Sequence, residues 1–135
     1  MIVVLDASAA VDLVVNASER SAEAQLLADA KWVLAPTLFV SEVTNVFWKY
    51  HRFQKLKLEE AEHGMSLALH LPDSLSADME LHSEAFAMSC RTRHSVYDMM
   101  YLVLARRNNA VLFTRDRPLR KLAGEHDVRV WAGTD

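Results

Sequence analysis

The stretch from Ser95 to Arg107, SVYDMMYLVLARR, constrains the fold more than any other part of the chain. Beyond Asp98 it is apolar nearly all the way round a helix, and such a helix has to be buried. Asp98 opens it, and an isolated buried carboxylate is costly unless it is paired or binds a metal. Three further acids hold comparable places: Asp6 after the strand-like Ile2–Leu5, Asp116 after Val111–Thr114, and Glu42 on the flank of an amphipathic helix. Four acids without obvious basic partners point to a site for hard divalent cations.

The order of elements gives these acids a common location. Ile2–Leu5 is a short apolar run rich in β-branched residues, as a parallel strand covered on both faces requires. Helical patterns follow over Ala7–Val15 and Ser18–Ala30, with Ser18 as the cap of the second. Trp32–Ala35 reads as a strand ended by Pro36. From Thr37 to about Phe53, the residues Phe39, Val43, Val46, Phe47 and Tyr50 recur at helical spacing, with Glu42, Asn45 and Lys49 on one flank. Leu58–Leu71 reads as a helix stopped by Pro72, and Asp73–Asp78 as a polar connection with room for a short strand around Ser74-Leu75. Helices over Glu80–Arg93, Ser95–Arg107 and Asp116 to about Gly124, and strands at Val111–Thr114 and Val128–Trp131, complete the set. Strands alternate with helices and no NG or DG hairpin turn occurs, which predicts an α/β domain with a mostly parallel sheet. Ligand sites in open parallel sheets lie beyond the carboxyl ends of the strands. Asp6 and Asp116 fall one or two residues past such ends, and Asp98 starts the helix that leads to the last of them.

A chain of 135 residues, 51% hydrophobic and 24% charged, has the size and composition of one globular domain. No apolar run approaches the roughly 18 residues that span a bilayer, and Asp6 interrupts the only apolar run near the N-terminus. The expectation is a protein with no membrane or export segment, and the lone Cys90 reads as a reduced thiol of the cytoplasm. Net charge is −3, but its distribution is uneven: Leu58–Cys90 holds seven acids and no Lys or Arg, whereas Arg91–Lys121 holds eight Lys/Arg against Asp98 and Asp116 alone. Basic groups around an acidic centre suit a polyanion; solvated helix faces would produce the same charge pattern.

Each acid also has a plain structural reading. Asp6 is placed to cap the helix starting at Ala7, and Asp116, before Arg117-Pro118, to cap the last helix. Ser95-x-x-Asp98 has the form of a capping box, and Glu42 suits a solvated flank. Six histidines at 51, 63, 70, 82, 94 and 126 form no HExxH motif, and neither GxxxxGK[ST] nor GxGxxG occurs. A phosphoacceptor receiver domain is disfavoured too, because Trp48–Gln54 is helical in pattern where a central strand is needed.

Taken in order, four stretches carry a resemblance: Val4-Leu5-Asp6-Ala7-Ser8, Pro36-x5-Glu42-x2-Asn45, Tyr97-Asp98-x2-Tyr101-Leu102-x2-Ala105, and Thr114-Arg115-Asp116-x2-Leu119. The chain resembles the PIN domain, and within it the VapC-type toxins of prokaryotic toxin–antitoxin pairs. Met99 and Met100 depart from the small or aliphatic residues usual there, a change of packing more than of chemistry. The resemblance implies one PIN domain over 1–135, a three-layer α/β/α fold with four to five short strands, and Mg²⁺- or Mn²⁺-dependent endonucleolytic cleavage of RNA. Asp6 and Asp98 would be the principal metal ligands, with Glu42 and Asp116 binding a second ion or orienting water. Ser8, Asn45 and Thr114 would support them or face substrate, and Arg115 and Arg117 would engage phosphate. A homodimer and a small VapB-like antitoxin are the implied protein partners, with Phe39, Phe47, Trp48 and Phe53 as candidate contacts, although Phe39 and Phe47 suit the core better. The alternative is a catalytically silent PIN-like binding module.

Overall fold

The computed structural model describes residues 1–131 and 133. Its elements run β1 (Ile2–Leu5), α1 (Ala7–Val15), a 3₁₀ turn (Ala17–Glu19), α2 (Ser21–Asp29), β2 (Trp32–Pro36) and α3 (Leu38–Gln54). They continue with α4 (Leu58–Leu69), β3 (Ser74–Ser76), α5 (Asp78–Thr92), α6 (Val96–Arg107), β4 (Val111–Phe113) and α7 (Arg117–Glu125). The four strands form one wholly parallel sheet in the order β3-β2-β1-β4, with Val3 opposite both Val33 and Val111.

That order sets the position of the site. The chain builds outward from β1 to β2 and β3, then crosses over to place β4 on the other side of β1. The order in which strands are added therefore reverses between β1 and β4, and a crevice opens at such a switch point beyond the strand ends. The Asp6 amide donates to Phe113 O at 3.1 Å, so pairing of these two strands continues right up to the first acid.

Three layers result. Seven successive residues of α6, Met99 to Ala105, are buried, as the apolar character of that helix demands. It packs against β1, β2 and β4, with α5 lying along it, while α1, α3 and α4 pack on one another. Phe39 and Phe47 are core residues at 0% and 3% exposure, whereas Trp48 and Phe53 are 53% and 66% exposed. Gly64 lets α4 approach α3, since a Cβ there would lie 2.7 Å from the Phe47 ring.

Among the boundaries that differ from the sequence reading, three have a visible physical cause. The helix expected over Ser18–Ala30 is broken at Arg20, whose backbone (φ −119°, ψ 35°) separates the 3₁₀ turn from α2. Arg20 is drawn out of helical register by its 2.7 Å ion pair with Asp12 of α1. Helix α4 stops at Leu69 instead of Leu71, where the His70 ring hydrogen-bonds Ser66 O at 2.7 Å. The strand expected at Val128–Trp131 is a single parallel bridge of Val130 to Leu112, bonded through Arg129 O and the Trp131 amide. It begins after Asp127 in the left-handed region (φ 59°), and the edge strand it meets is only three residues long.

Candidate active site

Asp6, Glu42, Asp98 and Asp116 line one cleft of about 310 Å³, together with Ser8, Asn45, Lys49 and Tyr101. Residues 110 positions apart meet there because β1 and β4 are neighbours and because α3 and α6 both begin at this edge. The capping readings and the clustering are both true. Asp6 accepts from the Ala9 amide at 2.9 Å, Asp116 from the Leu119 amide at 2.9 Å, and Ser95 from the Asp98 amide at 3.3 Å. Each cap fixes its carboxylate or helix start at the rim of the sheet, so one interaction serves both stability and placement.

Asp6 is the most enclosed of the four. Ser8 Oγ donates to its Oδ1 at 2.7 Å and the Thr114 hydroxyl to its Oδ2. Thr114 also accepts from the Asp116 amide at 3.0 Å, and Ser8 from the Arg115 amide at 3.1 Å. These two hydroxyls thus tie the β1–α1 and β4–α7 junctions to each other. Burial pushes the Asp6 carboxyl up from 3.8 to about 6, against the lowering effect of its hydrogen bonds, and the Glu42 charge adds to the rise.

Glu42 and Asp98 are half-buried, and burial raises both. Glu42 is raised further by the Asp98 charge, and Asp98 by that of Asp116, while His94 acts on Asp98 in the opposite sense. The acids therefore form one repelling chain from Asp6 through Glu42 and Asp98 to Asp116. Among the described residues none of the four belongs to an ion pair. Such a cluster is relieved by a cation of high charge density.

The donors are all oxygen, the kind taken by Mg²⁺ or Mn²⁺. Among the described residues no three acid, histidine or cysteine side chains form a ready-made ligand group. Mg²⁺ keeps several waters and needs only one or two carboxylates, so acids spaced round a cleft fit a hydrated ion.

Tyr101 was missed as a site residue, though it lies inside the third motif. It is 2% exposed, and its hydroxyl donates to Glu42 Oε1 at 2.6 Å. Burial and the Glu42 carboxylate hold the phenol firmly protonated. The available signal was a tyrosine in a helix buried on all sides, whose hydroxyl requires a partner. Lys49, on the same flank as Glu42 and Asn45, also lines the cleft and brings a basic group to it.

The two arginines expected to engage phosphate stand outside the acid cleft. Arg115 Nε lies 3.5 Å from Asp12 Oδ2, beside Arg20. Burial alone would raise Asp12, but the hydrogen bonds of Arg20 and Asn16 and the charges of Arg20 and Arg115 outweigh it and hold it low. Arg117 lines a separate groove with Arg91, Arg106 and Lys121.

A parallel α/β sheet whose switch point is ringed by carboxylates defines a class of small acid-centred domains. Residues 3–125 match the family model of the PIN domain, and the chain belongs to that family. It is 32% identical over 122 residues to Ribonuclease VapC3 of Pyrobaculum aerophilum, an alignment covering 88% of this chain and 92% of that protein. The crystal structure of PAE2754, also from Pyrobaculum aerophilum, shares the fold with a TM-score of 0.75 at 20% identity, covering 96% of this chain and 83% of that one. No helix among the described residues is long and apolar enough to cross a membrane.

Proposed function

We propose that this chain is a VapC-type endoribonuclease, a single PIN domain over 1–135 that hydrolyses RNA phosphodiester bonds with Mg²⁺ or Mn²⁺. The observation that carries this reading is the meeting of four acids from distant segments in one cleft at the sheet's switch point. The 32% identity to a ribonuclease supports it.

Asp6 and Asp98 would hold the cation, with Glu42 and Asp116 completing the cluster. Such an ion would make water a better nucleophile and offset charge developing on the phosphate. The protein's own contribution is placement. Ser8 and Thr114 fix both oxygens of Asp6, and Tyr101 fixes one oxygen of Glu42, leaving the other to orient water. Burial and mutual repulsion raise the Asp6 and Glu42 carboxyls, and a cation held between them would favour their ionised forms.

The protein partners belong to the same reading: a small VapB-like antitoxin and a second copy of the chain. Trp48 and Phe53, exposed and packed edge to face at 5.7 Å between ring centres, offer an apolar surface for one of them. Exposed, unpaired Cys90 accords with the reducing cytoplasm.

The test is incubation of antitoxin-free protein with a structured RNA pool in Mg²⁺, in Mn²⁺ and in EDTA. Cleavage that requires the cation is expected. A chain that binds RNA but leaves it intact under every condition would show a silent binding module instead.

A further inference from the structure

We propose that the groove between α5, α6 and α7 is a second, metal-independent site, which holds the sugar–phosphate backbone of the RNA beside the acid cleft. The proposal rests on the RNA reading above and adds a separate surface to it. The groove has a volume of about 990 Å³, and Arg91, Arg106, Arg117 and Lys121 line it with His94 and a single carboxylate, Glu125. The basic run Arg91–Lys121 thereby divides in space. Arg115 is paired with Asp12 and Arg107 with Glu84, whereas none of the four groove cations belongs to an ion pair among the described residues. Arg106 is steadied instead by the Met88 thioether, at 3.3 Å from Nη1.

Like charges gathered on one concave surface repel one another and attract a polyanion. The acid cleft cannot do this for itself, since its carboxylates repel phosphate and the chain carries a net charge of −3. Backbone contacts of this kind fix position and register without reading sequence. The two surfaces meet in the chain: Asp116 lines the cleft and the next residue, Arg117, lines the groove. A strand lying in the groove is thus led to the acids.

The experiment measures binding of a short, labelled single-stranded RNA pool by the full chain carrying Asp98→Asn, in EDTA, from about 50 to 200 mM salt. The comparison is the same protein with Arg117→Ala and Lys121→Ala added, and with Arg117→Lys as the charge-conserving control. Loss of two phosphate contacts should weaken binding at least tenfold at low salt, and reduce the slope of log K against log salt by about 0.7 per contact. The lysine variant should keep the slope. No RNA binding in EDTA, or equal affinity and slope in the alanine variant, would overturn the proposal. So would tighter groove-dependent binding of an acidic polypeptide of equal charge than of the RNA, which would make the groove a protein site. Cleavage by the wild-type chain is scored separately. Groove-dependent binding without metal-dependent cleavage refutes the nuclease reading alone, and cleavage with groove-independent binding refutes the groove alone.

Discussion

Replacing Asp6 by Asn should make the metal-free protein more stable at neutral pH, although it removes a well-bonded buried side chain. Asp6 is 6% exposed and its carboxyl is pushed up from 3.8 to about 6. Between those values the folded chain binds more protons than the unfolded chain, so stability falls as pH rises from about 4 to about 6 and is level above. The charged side chain then costs about 3 kcal/mol at pH 7 relative to acid. Asn keeps the cap on Ala9, because Asn and Asp serve equally there. Its amide must face Thr114, whose hydroxyl then donates to nothing on that side, a loss of about 1 kcal/mol. Asp6→Asn should therefore gain about 2 kcal/mol at pH 7 and lose about 1 kcal/mol near pH 3, where the wild-type carboxyl is protonated. Urea unfolding followed by circular dichroism, in EDTA at both pH values, gives the difference. Mg²⁺ should narrow the gap at pH 7 by stabilising the wild type alone. A variant less stable than wild type at pH 7, or a difference that does not change with pH, would refute the reasoning.

Other expectations follow from the same contacts. Tyr101→Phe removes the 2.6 Å bond to Glu42, leaving that carboxyl higher still; cation affinity by Mn²⁺ calorimetry should fall about tenfold or more, with about 1 kcal/mol lost in stability. Unchanged affinity would show that Glu42 needs no support. Asp12→Asn breaks the 2.7 Å pair with Arg20 and releases Arg115, and should cost about 1–3 kcal/mol at pH 7 by urea unfolding. Because Asp12 is held low, its stabilising effect is present above its ordinary value of 3.8 and is lost as pH falls through the folded value, so the variant and wild type should converge in strong acid. Leu102→Ala, in the fully buried part of α6, should cost about 2–5 kcal/mol, and a loss under about 1 would mean the helix is not enclosed.

Much of this architecture is legible in the sequence because it rests on local patterns. The β-branched run Ile2–Leu5 and the turn-free apolar face of Ser95–Arg107 have one economical outcome, a buried parallel strand and a buried helix. The capping residues at Asp6 and Asp116 mark both helix starts and, through the strand ends they follow, the location of the cleft. What stayed hidden depends on contacts across the chain. The break at Arg20 comes from Asp12, eight residues earlier, and helices α3 and α5 end on left-handed Lys55 and Arg93, where no glycine signals the stop. The Tyr101–Glu42 bond joins residues 59 apart, and the sorting of Arg115 to Asp12 and Arg117 to the basic groove is settled only by the folded surface.

The gathered acids are expected to perform cation-dependent cleavage. The most direct measurement compares wild type with Asp98→Asn, both folded by circular dichroism, on the same structured RNA pool in Mg²⁺. The wild type should cleave, lose activity in EDTA and regain it with Mn²⁺, while the variant should bind the pool without cutting it. A folded Asp98→Asn protein cleaving at the wild-type rate would contradict the assignment of the cleft.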